Sequence, residues 1–478
     1  MVPNYSIDDL EGWDERIREK VEEFGLDPYP QEFEICDHND MLGYMTYSGM
    51  PSHYPHWSYG KSFEKTKTMY DHGVSGLPYE MVINSNPSLG YLMRDNTLCL
   101  QILTIAHVYG HNDFFKNNFN FTAVTRADST LSMFKAHAQR VRSYVEDPSI
   151  GPDAVERILD AAHSLSMQLR RNRAVKRLSE AEEKQRLWED AQPQPDPYRR
   201  IHRTPDYEAP DLRKTPASPE EDVLAFIRDY NPYLTEWERD LLTIVHEEAC
   251  YFLPQIETKI MNEGWASYWH REIMNSLDLP QELHLEFLVR HNQVVRPHPG
   301  SLNPYHLGLR VWDEIEGREA PSPPEEREDA GPPPAGDRSA MFAVREVDRD
   351  VSFLRRFLNE KVMTDLDLFE YEKQDDKLVV SKVSNEDHWR EIKATLLRGV
   401  GMGSTPIIRI TDADFGDQRT LYLVHEHEGR DLELGYAEKT LMHLHELWGR
   451  ETALETYVNE KRTILKYDDD GFKAEAAS

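Results

Sequence analysis

The chain has 478 residues, and 55 basic against 86 acidic side chains give it a formal charge of −31. That length allows two to four domains and a large core, and 39% apolar with 29% charged residues is a soluble globular mix without coiled-coil or collagen-like bias. The charge argues against nucleic acid, whose binders need a basic face; the densest basic stretch, Arg170-Arg-Asn-Arg-Ala-Val-Lys-Arg177, sits beside acids.

The first residues, Met-Val-Pro-Asn-Tyr-Ser-Ile-Asp-Asp, lack the basic start and apolar stretch of a secretion signal, so a cytoplasmic location is expected. A helix is predicted over 7–24, capped at Ser6 or Asp8 and stopped by Gly25. In the segment 50–90, Pro51-Ser-His-Tyr-Pro-His-Trp-Ser-Tyr-Gly-Lys61 carries the aromatic and polar tips of a pocket wall or of a loop packed on a core, with His53 and His56 as candidate lining residues. Helices are predicted at 95–116, 128–145, 152–170 and 178–190. The apolar run from Leu98 to Ala106 is about half the length that spans a bilayer, so no membrane span is expected.

Residues 190–220 form a Pro-rich, charged break, read as a flexible insertion. Helices follow at 219–229, 235–252 and 255–276, the last opened by Pro254, and 295–310 reads as a turn-rich loop. Residues 317–338 are more Pro-rich still and are predicted to be a disordered linker. Beyond 340, helical periods at 348–361, 386–398 and 435–449 alternate with strand-like runs at 366–372, 377–383, 405–411 and 419–425. The expected fold class is a mainly α catalytic-type domain over 1–316 followed by a smaller α+β domain over 339–468, with a disordered tail at 469–478. Gly399-Val-Gly-Met-Gly403 falls between a helix and a strand, the reverse of the order that cradles phosphate.

Cys36, Cys99 and Cys250 are far apart and odd in number, which excludes a disulfide framework. The basic residues divide into 19 Lys and 36 Arg. Many carboxylates with few lysines suit a surface hydrated in high salt, so a halophilic source is one expectation and an Arg-rich genome the other.

The sharpest chemical signal is Ala106-His-Val-Tyr-Gly-His111. On the predicted helix His107 and His111 share a face, the spacing by which two imidazoles meet one metal ion. A second signal is Met261-Asn-Glu-Gly-Trp-Ala-Ser-Tyr-Trp-His270, where Glu263, Ser267 and His270 fall on one helical face. Upstream, Val245-His-Glu-Glu-Ala-Cys-Tyr-Phe252 places Glu247 and Glu248 in an apolar helix, where a carboxylate needs a metal, a cation or a proton. His425, His427, His443 and His445 lack one-face spacing and read as surface features.

Asn262-Glu-Gly-Trp-Ala266 resembles the Asn-Glu-Gly-Phe-Ala segment of gluzincin aminopeptidases, whose Glu is the third zinc ligand. The resemblance implies a divalent metal, zinc from the donor set, held by His107, His111 and Glu263. Val108 stands where the peptidases carry their general base, so a base must come from elsewhere, with Glu247 or Glu248 as candidates and His270 as a further ligand or electrophile.

More widely, Tyr54-Pro-His-Trp-Ser-Tyr-Gly-Lys61, Val82-Ile-Asn-Ser-Asn-Pro87, Gly110-His-Asn-Asp-Phe-Phe-Lys-Asn-Asn118, Lys259-Ile-Met-Asn-Glu-Gly-Trp-Ala-Ser-Tyr-Trp-His270 and Asn303-Pro-Tyr-His-Leu-Gly308 resemble the SpoVR (stage V sporulation protein R) family. That resemblance covers most of 1–316 and extends to the C-terminal region. It implies an association with spore cortex formation in spore formers and with stress response, in a family that also occurs in organisms that form no spores, and with two partners: a serine-kinase-like AAA+ protein and a von Willebrand-type domain protein. Two functions are therefore expected to compete: a metal-dependent hydrolase or amide-bond enzyme, and a non-enzymatic scaffold acting with those partners.

Overall fold

The computed structural model describes residues 5–72, 80–172, 176–192, 210–297, 302–317, 338–366, 371–374, 377–380 and 388–476. The predicted linker, 317–338, lies almost wholly outside the described residues, as does most of the Pro-rich break at 190–220. Two compact units emerge, one of 1–142 with 251–404 and one of 143–250 with 405–478.

The first unit is built round the Leu98–Asn117 helix, which opens on a Thr97 cap and is buried almost without interruption from Cys99 to Phe115. A helix apolar on all sides has to sit at the centre of a core, and helices surround it here. Lys259–Ser276 packs along it and in turn against Pro304–Glu316, with Ile7–Glu23 and Gln281–Val294 on its flanks. Trp265, Trp269 and Trp312 fill the space between, each fully buried. A three-stranded sheet covers one side: Ser88–Met93 is central, parallel to Gln31–Cys36 and antiparallel to Met81–Ile83.

Three backbone contacts set how closely these helices lie. A Cβ on Gly110 would fall 2.7 Å from Ala266 Cα, one on Gly264 2.4 Å from the Gly308 carbonyl carbon, and one on Gly308 2.1 Å from the Ile260 oxygen. Only glycine permits that approach, because the atoms a Cβ would meet are backbone and the Ala266 methyl, none of which can swing aside. A buried ion pair ties the ends together. Asp113 accepts both oxygens' worth of bonds from Arg345 Nη1, at 2.7 and 2.8 Å, and further bonds from Trp265 Nε1 and the Asp27 amide.

The second unit holds a five-stranded sheet in the order Gly471–Ala476, Lys461–Asp468, Thr452–Val458, Thr420–Glu426, Ile407–Phe415. Its pairs are antiparallel except Thr420–Glu426 with Thr452–Val458, which the Leu434–Trp448 helix connects as a parallel crossover. Pro152–Leu165 packs on that helix, and Glu220 bridges to Ile410 at the sheet edge.

The mainly helical region followed by an α+β region is thus present, but the compact units divide elsewhere than at 317–338. Ser339–Val347 and Asp350–Phe357 belong to the first unit, because Met341, Val344, Phe353 and Leu354 bury their side chains in its core. The α+β unit starts at Thr405 and takes in 143–250. The tail at 469–478 carries the strand Gly471–Ala476; its side chains are largely exposed, so no apolar alternation announces it. Pro254 lies inside the Glu236–Glu257 helix, and the next helix opens at Lys259, after Thr258. Within the stretch read as a turn-rich loop, Asn303 caps a helix whose first residue is Pro304, a position where proline's missing N–H costs nothing.

The glycine contacts give the first prediction. Gly264→Ala and Gly308→Ala each force backbone apart in a packed core and are expected to destabilise the protein by about 3 kcal/mol. Urea denaturation followed by circular dichroism measures this; a change under about 0.5 kcal/mol would contradict the close crossing.

Candidate metal centre

His107 and His111 project from the buried Leu98–Asn117 helix one turn apart, with ring centroids 4.6 Å from each other. Glu263 enters from the Lys259–Ser276 helix, and Glu80 comes from the residue before the Met81–Ile83 strand. One ligand atom from each of these four lies within 4.8 Å of all the others. His107 Nε2 is 3.1 Å from Glu80 Oε2 and 3.9 Å from Glu263 Oε2, while His111 Nε2 is 3.5 Å from the same Glu263 oxygen.

The two separations to Glu263 fit an ion better than they fit direct hydrogen bonds. Glu263 Oε2 is buried and makes no hydrogen bond, since 3.5 and 3.9 Å exceed the ordinary range of about 2.7–3.2 Å. Ligands about 2.1 Å from a tetrahedral ion stand roughly 3.4 Å apart, and the three measured separations bracket that value. The four residues could therefore hold a metal ion.

The surrounding bonds orient the ligands. His111 Nδ1 lies 2.9 Å from Asn262 Oδ1, an acceptor only, so Nδ1 donates and Nε2 is left to face Glu263. His107 Nδ1 meets His270 Nδ1 at 2.7 Å, and His270 Nε2 meets His291 Nδ1 at 2.8 Å. If His107 keeps its Nε2 lone pair for the cluster, the donors run one way, from His107 to His270 to His291. Burial holds His107 and His291 down, each at about 4, and drives His270 well below the ordinary imidazole value, so the chain is neutral.

Burial also pulls His111 down, but Glu263, Glu80 and Asn262 outweigh it and leave the imidazole up at about 8. For Glu263 burial pushes upward, yet the two imidazoles beside it win and hold its carboxyl well below the usual range. Tyr305 Oη donates to Glu80 Oε1 at 3.1 Å; burial, then Glu80 and Glu263, raise that hydroxyl far above its ordinary range, so it stays a donor.

The cluster opens onto a cavity of about 700 Å³ within the first unit, lined by Glu80, His111 and Glu263 together with Asn262 and Tyr305. Of the residues expected from sequence, His107, His111 and Glu263 come together. His270 contacts His107 from behind and does not line the cavity. Glu247 is exposed and Glu248 buried; both belong to the second unit, and neither lines the cavity. His53 and His56 are also absent from the lining: His53 accepts from the Tyr54 amide and stacks on Tyr47, and His56 caps the Trp57–Asp71 helix.

Two family models match the chain, one described as SpoVR like protein over residues 4–405 and one as SpoVR-like C-terminal domain over 406–459. The chain belongs to the SpoVR family. The chain is also 36% identical over 486 residues to uncharacterized protein YcgB of Escherichia coli (strain K12), covering 95% of this chain and 92% of that relative. No solved structure matches. The boundary between the two SpoVR models, at 405/406, falls within one residue of the start of the last segment of the second unit. Among the described residues no helix is long and apolar enough to cross a membrane.

Two residues at this cluster escaped the sequence reading. Glu80 is one acid among many in the chain, set before a short strand, and only its proximity to the quoted Val82–Pro87 motif marked it. Tyr305 stood inside the Asn303–Gly308 motif but in a stretch taken for a loop, so nothing aimed it at the histidines.

Metal uptake at such a cluster has to displace the proton on His111. Below about pH 8 the metal-free imidazole is charged, so apparent affinity is expected to fall about tenfold per pH unit on lowering the pH from 8 to 6. Competition titration of zinc against a chromophoric chelator across that range measures it; a flat profile would remove His111 from the ligand set.

Proposed function

We propose that this SpoVR-family protein is a zinc-dependent hydrolase acting on amide bonds. The observation that carries this reading is the convergence of His107 and His111 from one helix with Glu263 from another, beside Glu80 and at the wall of an open cavity. Three protein ligands are the catalytic pattern, and the fourth position is left for water. A divalent ion there would lower the pKa of that water and polarise a carbonyl.

The chain's own groups supply the rest. Glu80 lies beside the ligand nitrogens, and its second oxygen is held by Tyr305, so it is placed to take a proton from attacking water and return it to the leaving nitrogen. Glu80 takes this role in place of Glu247 and Glu248, because it lines the cavity and they do not. Tyr305 remains protonated, and turning its one hydroxyl proton from Glu80 would let it donate to an oxyanion forming at the substrate carbon. The His270–His291 pair behind His107 fixes the tautomer that presents Nε2 forward.

Elemental analysis of the purified protein should find close to one zinc per chain, and Glu263→Gln should lose most of it. Glu80→Gln should fold and keep its metal yet lose amidase activity by roughly 10²–10⁴-fold, whereas Glu247→Gln and Glu248→Gln should stay active. Activity lost in Glu248→Gln but kept in Glu80→Gln would move the base to the helix that the sequence singled out. A protein that binds no metal, and whose stability chelators leave unchanged, would reduce the cluster to a polar core. The scaffold role with kinase-like and von Willebrand-type partners would then lead.

A further inference from the structure

The cavity beside the cluster carries more information than its ligands. Lys259 lines it and is exposed; among the described lining residues it is the one Lys or Arg. No ion pair links its ammonium to any described residue, in a chain with 86 carboxylate side chains.

The position of Lys259 is also unfavourable for the helix it opens. It is the first residue of Lys259–Ser276, where the helix dipole already presents positive charge and a cation destabilises. Asp350 offsets part of this by accepting the Ile260 and Met261 amides at 2.9 Å, but it bonds the backbone and not the lysine. Lys259 is a solvated cation placed against the dipole, facing a cavity and without an ion pair to any described residue. It is suited to meet an anion that arrives from outside.

Helical geometry relates that anion to the metal cluster. Lys259 and Glu263 are i and i+4, so they share one face with a rise of about 6 Å between them. The same cavity also has an apolar lining, from Met81, Val82, Phe115, Phe252 and Ile256. A ligand that satisfies all three features has a carbonyl at the cluster, a free carboxylate a few bonds away and an apolar side chain between.

We propose that the cavity binds amides bearing a free carboxylate next to an apolar side chain, with Lys259 as the carboxylate-binding residue. The C-terminal residue of a peptide and an N-acyl amino acid share this chemistry. The inference rests on the hydrolase reading for its reaction: water oxygen adds to the amide carbon, the C–N bond breaks, and the nitrogen leaves with a proton as an amine. The binding claim does not need turnover.

The test uses the full-length protein with zinc supplied, and titration calorimetry with N-acetyl-leucine, its C-terminal amide, and the free-acid and amide forms of a leucine-terminated tetrapeptide. The free acids should bind about tenfold or more tightly than the amides, and Lys259→Ala should erase that preference while Lys259→Arg keeps most of it. Which acid binds tighter, the small molecule or the peptide, identifies the source. Equal binding of acids and amides, a preference that survives Lys259→Ala, or no binding of any of the four would overturn the proposal. Carboxylate-selective binding without cleavage would sustain it while overturning the hydrolase reading, so the two can fail separately.

Discussion

The contact on which the rest depends is backbone against backbone. Gly110 lies on Ala266 and Gly264 on Gly308, with no room for a Cβ at either crossing. His111 follows Gly110 directly and Glu263 precedes Gly264, so the residues that bring the helices together are neighbours of those that form the cluster. With ordinary side chains at the crossings, helix axes would stand farther apart, and the 3.5 Å between His111 and Glu263 would open beyond any single ion. Asp113 and Trp265 fasten the same two helices by a hydrogen bond within one turn of the cluster.

That proximity has an electrostatic consequence. Two carboxylates and two imidazoles are gathered in a place where burial opposes every charge. The protein resolves the conflict by splitting the histidines: His111 is held up at about 8 by the carboxylates, while His107 is driven to about 4. One proton is therefore shared among groups that would each prefer an ion, a condition that a divalent cation relieves more completely than a proton can. The neutral His270 and His291 behind His107 allow it to donate backward without importing further charge.

The sequence was informative where chemistry and period coincide. The i, i+4 histidines lay on a helix whose apolar run could not be mistaken, and the Asn262–Ala266 segment pointed to Glu263 through a resemblance rather than through periodicity. Glu80 was not legible, because a side chain brought to the histidines from beside a distant strand leaves no spacing to read. Pro254 sits inside a helix and does not open one, and the sequence does not separate the two cases, because a proline tolerated within a helix and one that starts it differ only in what surrounds them. The last three strands, from Thr452 to Ala476, were missed for a different reason. Lys461–Asp468 and Gly471–Ala476 are charged and mostly part-exposed, so a period of two is barely written in them, and their identity comes from pairing with Thr452–Val458.

Domain limits were the least accessible feature, and the reason is topological. Composition marks a boundary where the chain turns Pro-rich, yet a compact unit is defined by which apolar faces cover each other. The Pro152–Leu165 helix buries Val155, Ile158 and Leu159, and it packs on Leu434–Trp448, which is almost 300 residues away in the chain. Glu220 adds a bridge to the edge at Ile410, so even the sheet is finished by a segment from before the Pro-rich linker. The matched C-terminal family region, 406–459, therefore does not contain all that its sheet packs against. The segment 143–250, which lies within the region matched by the larger SpoVR model, supplies the missing face. Which apolar faces cover each other across those distant segments, not local composition, decides such a division.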